Sequence, residues 1–333
     1  MAILIPGGAG YIGSHTAHEI LDNGGEVVVV DNLQTGHAES VHPKAKFCQG
    51  DIRDAAFLDR VFAENAIDSV IHFAANSQVG ESVQKPLLYY NNNLYGTMVL
   101  LEAMQKHGVR HIVFSSTAAA YGEPERVPIL ESDPTLPTNP YGETKLGMEK
   151  MFKWVAGAGG PSYVSLRYFN ACGAREDGRI GEDHDPETHL IPIILQVANG
   201  KRESISVFGD DYDTPDGSCV RDYIHVTDLA QAHIQALEYL RRGGECDIFN
   251  LGNGEGFSVK QVIQTACDVT GKKIPFTVAP RRPGDPARLV ASNAKAKKTL
   301  GFEPRYPGLA EIIATAWKWH QGHPNGYAGG TNK

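Results

Sequence analysis

Cysteine is sparse in this 333-residue sequence: its five copies, Cys48, Cys172, Cys219, Cys246 and Cys267, are odd in number, scattered, and form no C-x-x-C or histidine-spaced group. That excludes a disulfide framework and a cysteine-built zinc site, and it fits a reducing cytosol. Long apolar runs are missing too. Glycine interrupts Ala2 to Ile5 almost at once, so neither a signal peptide nor a membrane span is expected, and the reading is a soluble, unprocessed, cytoplasmic protein. Nor is there an excess of positive charge. With 31 basic residues against 39 acidic ones the balance is −8, which leaves no footprint for nucleic acid or an anionic membrane. Internal repeats and low-complexity segments are absent, and Gly326 to Lys333 reads as a frayed tail.

What is present is an alternation of short apolar strands and longer helical stretches. Ala2 to Pro6, Glu26 to Asp31, Lys46 to Asp51, Ser69 to Ala75, His111 to Ser116 and Ser162 to Phe169 read as strands. Tyr11 to Asn23, Ala55 to Asn65, Leu87 to His107 and Tyr141 to Val155 read as helices. The β-branched run Val27 to Val30 suits a strand covered on both faces, so the fold class is α/β, a doubly wound parallel sheet whose ligand crevice lies at the carboxyl ends of its strands. A chain of this length also expects a smaller second lobe. The division is 1–169 for a nucleotide-binding domain and 170–333 for a substrate lobe, with a return to the first near 219–251, where Thr227 to Leu240 resumes helical spacing and Asp247 to Leu251 resembles a strand.

The chemistry starts at the first strand-to-helix turn. Gly7, Gly10 and Gly13 stand where a tight turn, close approach of a pyrophosphate and close helix packing each exclude a side chain. Asp31 ends the second strand, where a carboxylate accepts from both ribose hydroxyls and repels a 2′-phosphate, which selects NAD over NADP. Asp51 and Ile52 are placed to flank an adenine. Phe73, Ala74 and Ala75 form a small-residue tip over which a cofactor can lie. Tyr141 and Lys145, four apart on a helix, put a phenol and an ammonium on one face, which points to redox chemistry on an alcohol. A tyrosine base near neutral pH needs its pKa lowered by about 3 units, roughly 4 kcal/mol. One cation at about 6 Å gives on the order of 2.8 kcal/mol, so a second positive charge, from oxidised nicotinamide, is needed. Ser115, Ser116 and Thr117 lie at the lip of the same crevice. For Ser115 backbone capping is the simpler role, whereas Thr117 is placed to relay the substrate proton. Arg221 to Tyr223 and Arg281 to Asp285 supply local cations for an anionic ligand. His72, His225 and His233 read as packed or capping, and no metal is expected.

Together, Gly7 to Gly13, Phe114 to Thr117, Tyr121-Gly122, Tyr141 to Lys145, Arg167 to Asn170, Gly181 to Asp183, Val220 to Val226 and Arg281 to Asp285 closely resemble the extended short-chain dehydrogenase/reductases, from Ile3 to about Gly326. The resemblance implies a Rossmann-type domain, tightly held NAD, and interconversion of UDP-glucose and UDP-galactose by transient oxidation at the sugar C4. Tyr141 is then the base, Lys145 lowers its pKa and binds ribose, and Thr117 relays the proton. By the same likeness Tyr11, Ile12, Asp31, Asn32, Asp51, Ile52, Asn93, Ser115, Lys145 and Tyr168 hold NAD. Asn170, Leu190, Phe208, Arg221, Tyr223, Arg282 and Asp285 hold the UDP-hexose. A homodimer paired through the helices at Leu87 to His107 and Tyr141 to Val155 is also implied.

The chain departs from that pattern at four places. Thr117 replaces a serine, Ser77 a lysine that helps hold the cofactor in some members, and His189 an asparagine. Leu289 stands where glucose-restricted members place a tyrosine, which implies room for an N-acetyl group and turnover of UDP-GlcNAc. The competing functions are epimerisation of a UDP-glucuronate or UDP-pentose, a 4,6-dehydratase, and a catalytically silent NAD/UDP-sugar binding module. A dehydratase usually carries an Asp-Glu pair after the fifth strand, where this chain has Thr117-Ala118-Ala119-Ala120.

Overall fold

The computed structural model describes residues 1–282 and 285–327. The main sheet begins with β1 (Ala2–Pro6), β2 (Val27–Asp31), β3 (Lys46–Gln49), β4 (Ile67–His72), β5 (His111–Ser115) and β6 (Ser162–Tyr168). Asp247–Leu251 is its seventh strand, and the order across the sheet is Asp247–Leu251, β6, β5, β4, β1, β2, β3. All neighbours run parallel. The order in which strands are added reverses between β1 and β4, which sets the crevice at their carboxyl ends.

Both faces are covered, as the unbroken apolar run in β2 requires. On one face the helices Tyr11–Asp22 and Val226–Arg241 bury Ala17, Ile20, Leu229, Ala232 and Leu237 against Ile3, Ile5, Val29 and Phe249. On the other, Leu58, Val61, Leu100, Met104, Met148 and Phe152 close over Leu4, Val28, Val70, Ile112 and Phe114. A separate core holds the remainder: Ile194, Leu195, Val207, Val262, Ile312 and Ile313 pack round Tyr223 and Cys172.

Two elements differ from the sequence reading. The fourth strand stops at His72, because the N–H groups of Phe73 and Ala74 both turn to the Pro6 carbonyl, at 2.8 and 2.9 Å, so residues 73–75 curl over the end of β1 as a loop. The single helix expected over Leu87 to His107 is three joined pieces: α-helical Pro86–Tyr89, π-helical Tyr90–Tyr95 and α-helical Gly96–Lys106. Periodicity sees one helix there, whereas the widened π turn re-aims a side chain, as such turns do near functional sites. The expected tail is held at its start, where the Tyr327 N–H donates to Asp183 and its hydroxyl to the Gly181 carbonyl, both at 3.0 Å; from 328 onward it lies outside the described residues. The three histidines sit as packed or capping groups: His72 meets Thr97 at 3.0 Å, His225 caps the N–H of Thr227, and His233 meets the Leu229 carbonyl at 2.8 Å.

Candidate active site

The three glycines of the first turn have different physical reasons. Gly7 has φ 81°, and a Cβ there would lie 2.5 Å from the Ala74 nitrogen; at Gly13 it would lie 2.2 Å from the Gly7 carbonyl oxygen. Both are excluded by the protein's own backbone. At Gly10 the added atom would meet the Gly7 oxygen at 3.3 Å and nothing closer among the described residues, so the room there is left for something else. Gly10 also starts the helix Tyr11–Asp22 without a side-chain cap. An open approach to the positive end of a helix fits a pyrophosphate.

Asp31 faces that turn from the end of β2. Its carboxylate accepts from the N–H of Ala9 at 3.0 Å and of Leu33 at 2.8 Å, one bond per oxygen, which leaves acceptor capacity for ribose hydroxyls. Leu33 reaches back by taking the left-handed region, φ 59°, at a cost of about 1–2 kcal/mol. Burial raises the Asp31 carboxyl above its usual range against those two bonds. Asn32 donates to Asp51 at 3.0 Å, and Arg53 grips Asp51 with two bonds of 2.8 and 2.6 Å, which hold its carboxyl well below the usual range. Ile52 is buried under Gly96, whose added Cβ would meet its Cδ1 at 2.7 Å. Tyr11 donates to the Gly173 carbonyl at 2.6 Å and Phe73 packs on His233 at 4.7 Å, while Ile12, Ala74 and Ala75 are half-buried around the turn.

The helix that carries Tyr141 and Lys145 is Pro140–Gly157, started by Asn139, whose side chain accepts from the Gly142 N–H at 2.9 Å. Proline at the first helical position costs no hydrogen bond and presets φ, so Tyr141 falls in the first turn and Lys145 one turn on. Lys145 is 4% exposed, and its ammonium donates to the Ser115 carbonyl at 2.8 Å, 4.9 Å from the Phe114 ring centre and 5.9 Å from that of Tyr141. Burial raises the Tyr141 phenol above its ordinary value, with the Thr117 hydroxyl opposing. Burial likewise pushes the Lys145 ammonium down to about 7, with Glu149 opposing. The attraction reckoned from sequence is therefore offset by a desolvation cost that sequence does not display. In the chain by itself the phenol keeps its proton.

The π turn explains Asn93. Its amide accepts from the Asn76 N–H at 2.8 Å and Asn92 at 3.0 Å, and donates to the Asn76 carbonyl at 3.1 Å and Thr144 at 3.0 Å. It thereby fastens the loop beyond β4 to the helix Pro140–Gly157. Ser115 meets the Tyr168 hydroxyl at 2.5 Å, so both are held at the lip. Sequence reasoning missed the group below them. Glu149 accepts from Ser116 at 2.5 Å and takes a fork from Arg167 at 2.9 and 2.5 Å, with both charges buried. The signal was available: Glu149 is a further turn along the stripe of Tyr141 and Lys145.

The second group of residues meets this one through Leu289. Arg288–Leu289 pairs with Val220–Arg221, placing Leu289 beside Arg221, and Leu289 packs against the small cluster of Ala118, Tyr121 and Ile129 that follows Thr117. Tyr223 is buried and pairs with Asn170, whose amide donates to the Asp222 carbonyl at 2.8 Å. Asp285 accepts from Arg221 at 2.5 Å and from Arg282 at 2.8 Å, and Arg282 lies over the Phe208 ring at 4.9 Å. Arg281 instead pairs with Asp211 at 2.7 Å. The cations expected here are thus already partnered by carboxylates, and Asp285 is what aligns two of them; Pro283 and Gly284 lie outside the described residues. Leu190 opens the helix Leu190–Ala198, preceded by His189 with no side-chain cap.

The sequence model of the NAD dependent epimerase/dehydratase family matches residues 3–252. A UDP-glucose 4-epimerase of Halalkalibacterium halodurans is 61% identical over 328 residues, 98% of each chain. Among solved structures, UDP-glucose 4-epimerase from Brucella ovis in complex with NAD superposes with a TM-score of 0.93 at 48% identity, covering 95% of this chain and 97% of that one. The Bifidobacterium longum enzyme in complex with NAD+ and UDP gives 0.92 at 44%, covering 98% and 100%. Sheet order, cofactor turn and full-length sequence likeness agree, and the chain belongs to the NAD dependent epimerase/dehydratase family.

Proposed function

We propose that the protein interconverts UDP-glucose and UDP-galactose by oxidising and then reducing the sugar C4 with NAD that stays bound. The observation that carries this is the placement of Tyr141, Thr117 and Lys145 at the tip of β5, on the same sheet edge as a turn open at Gly10. The names and bound molecules of the relatives support the substrate class. Bound NAD⁺ supplies the hydride acceptor, then the donor, and a positive charge. Tyr141 Oη takes the proton of the C4 hydroxyl and returns it, with Thr117 as relay. Lys145 and Asp31 hold ribose hydroxyls, the first turn of the Tyr11–Asp22 helix holds the pyrophosphate, and Ile52 borders the adenine. Arg221, Arg282, Phe208, Tyr223, Asn170, Leu190 and Asp285 grip the UDP, so the hexose can turn while its tether stays fixed.

The leucine at 289, packed against the cluster of Ala118, Tyr121 and Ile129 where a tyrosine would be bulkier, supports room for a C2 N-acetyl group, hence UDP-GlcNAc and UDP-GalNAc as further substrates. A homodimer is supported by exposed apolar side chains on the two helical stretches named for it: Leu87, Tyr90, Met98 and Trp154. Five free thiols support a reducing, cytoplasmic setting, and among the described residues no helix is long and apolar enough to cross a membrane.

The test is to incubate purified protein with UDP-galactose and no added NAD. UDP-glucose should form. A requirement for stoichiometric NAD would mark a net dehydrogenase, and no conversion with cofactor bound would mark a silent binding module.

A further inference from the structure

Four side chains outside the proposed reaction meet in the loop before Leu190. Glu182, His184, Glu187 and His189 follow one another as Glu-x-His-x-x-Glu-x-His, and one ligand atom from each lies within 4.8 Å of all the others. The Nδ1 of His184 is 3.3 Å from Glu182 Oε1 and 3.7 Å from Glu187 Oε2. That of His189 is 2.7 Å from Glu182 Oε1 and 3.4 Å from Glu187 Oε1. Glu182 is 4% exposed, and its Oε1 and the His184 Nδ1 are buried, their near polar neighbours being the imidazoles and carboxylates of this same cluster. Two imidazoles and two carboxylates turned toward one point form a donor set in which a cation can take the place of the ring protons.

We infer that this loop is a divalent transition-metal site, and that Zn²⁺ is the ion its donors suit. Zinc bonds of about 2.0–2.1 Å in a tetrahedron separate the ligand atoms by about 3.4 Å, inside the spread seen here. Two imidazoles favour such an ion over the all-oxygen shells of calcium or magnesium. With neutral imidazoles the two carboxylates carry a double negative charge that a dication balances. The outer support exists as well: Glu187 Oε1 accepts from the N–H groups of Thr188 and His189, both at 2.8 Å, which fixes the carboxylate and leaves Oε2 for the ion.

The site stands between the two halves of the proposed active site. The His184 ring lies edge-on to Tyr11 at 6.2 Å, in the first turn of the cofactor helix, and His189 directly precedes Leu190. An ion there clasps the loop that joins the cofactor turn to the UDP-binding helix, with no part in the chemistry.

The experiment is to strip the full-length protein with a chelator, titrate it with Co²⁺, and displace the Co²⁺ with Zn²⁺. One Co²⁺ per chain with the visible bands of a tetrahedral N/O site is expected, and Zn²⁺ should raise the unfolding temperature of the stripped protein. The Glu182→Gln and Glu182→Gln/His189→Ala variants should lose at least about tenfold in Co²⁺ affinity. His42→Gln removes a member of the second cluster of possible ligands, His18, Asp22 and His42, and should bind as the unaltered chain does. Absence of the bands in that chain overturns the proposal, as does undiminished binding by Glu182→Gln, or a loss confined to His42→Gln.

Discussion

The Lys145 ammonium donates to the main-chain carbonyl of Ser115, at 2.8 Å. A lysine held by a strand-end carbonyl is fixed in place before any cofactor arrives. The cost is desolvation, which falls on the charge itself.

That cost is readable as a pH dependence. Burial holds the Lys145 ammonium of the folded chain at a pKa of about 7, against an ordinary value of 10.5. Between those limits the unfolded chain binds a proton that the folded chain lacks, so stability rises with pH. The contribution is complete above the unfolded value and is lost as pH falls through the folded one. For cofactor-free protein, the unfolding free energy of the unaltered chain minus that of Lys145→Met should climb from pH 7 to 10.5 by up to about 1.4 kcal/mol per pH unit. A flat difference in urea titrations would mean that Lys145 keeps an ordinary pKa.

Tyr141→Phe removes one hydroxyl from the helix. Turnover should fall by about 10²–10⁴-fold, while bound NAD, read by absorbance after denaturation, stays the same and stability changes by about 1 kcal/mol or less. A rate near that of the unaltered protein takes Tyr141 out of the mechanism.

Glu149→Gln leaves Arg167 as an uncompensated buried charge. Loss of about 3–5 kcal/mol of stability is expected. Because Glu149 also raises the Lys145 pKa, that group should titrate lower in the variant. Unchanged denaturation and an unchanged Lys145 titration together would remove Glu149 from this role.

Leu289→Tyr adds a ring against the cluster of Ala118, Tyr121 and Ile129. UDP-GlcNAc turnover should drop by at least about tenfold while UDP-galactose turnover changes little, a difference of roughly 1–3 kcal/mol in pocket fit. If active, unaltered protein fails to turn over UDP-GlcNAc at all, the N-acetyl reading ends.

Trp154→Glu, at a side chain 78% exposed, puts a charge into the proposed helix-to-helix contact. Light scattering should show a dimer for the unaltered chain and a monomer for the variant. A monomer in both cases discards the interface.

The parts of this molecule legible in sequence were those set by local rules. Val27 to Val30 announced a doubly covered strand, Gly7 and Gly13 places where a side chain is excluded, and the four-residue spacing of Tyr141 and Lys145 a single helix stripe. What stayed hidden depended on partners distant along the chain. The curl of Phe73 and Ala74 onto Pro6 looks like strand until the carbonyl they share is known. The π turn at Asn93 has the same apolar spacing as an ordinary helix, and its reason lies in Asn76 and Thr144. Arg282 reads as a free cation because Asp285, three residues on, gives no sign of being shared with Arg221. The desolvation that shifts Tyr141 and Lys145 is a property of the finished interior, with no signature in their spacing.

The seventh strand, Asp247–Leu251, completes the sheet beside β6, although the chain from Phe169 to Cys246, ending in the helix Val226–Arg241, is strung between them. A chain emerging from the ribosome therefore carries β6 as a bare edge, open to pairing with any extended neighbour, until that late strand and the helix Val226–Arg241 appear. A fragment ending near residue 169 inherits the same defect permanently, and aggregation, rather than a free-standing nucleotide domain, is its expected fate.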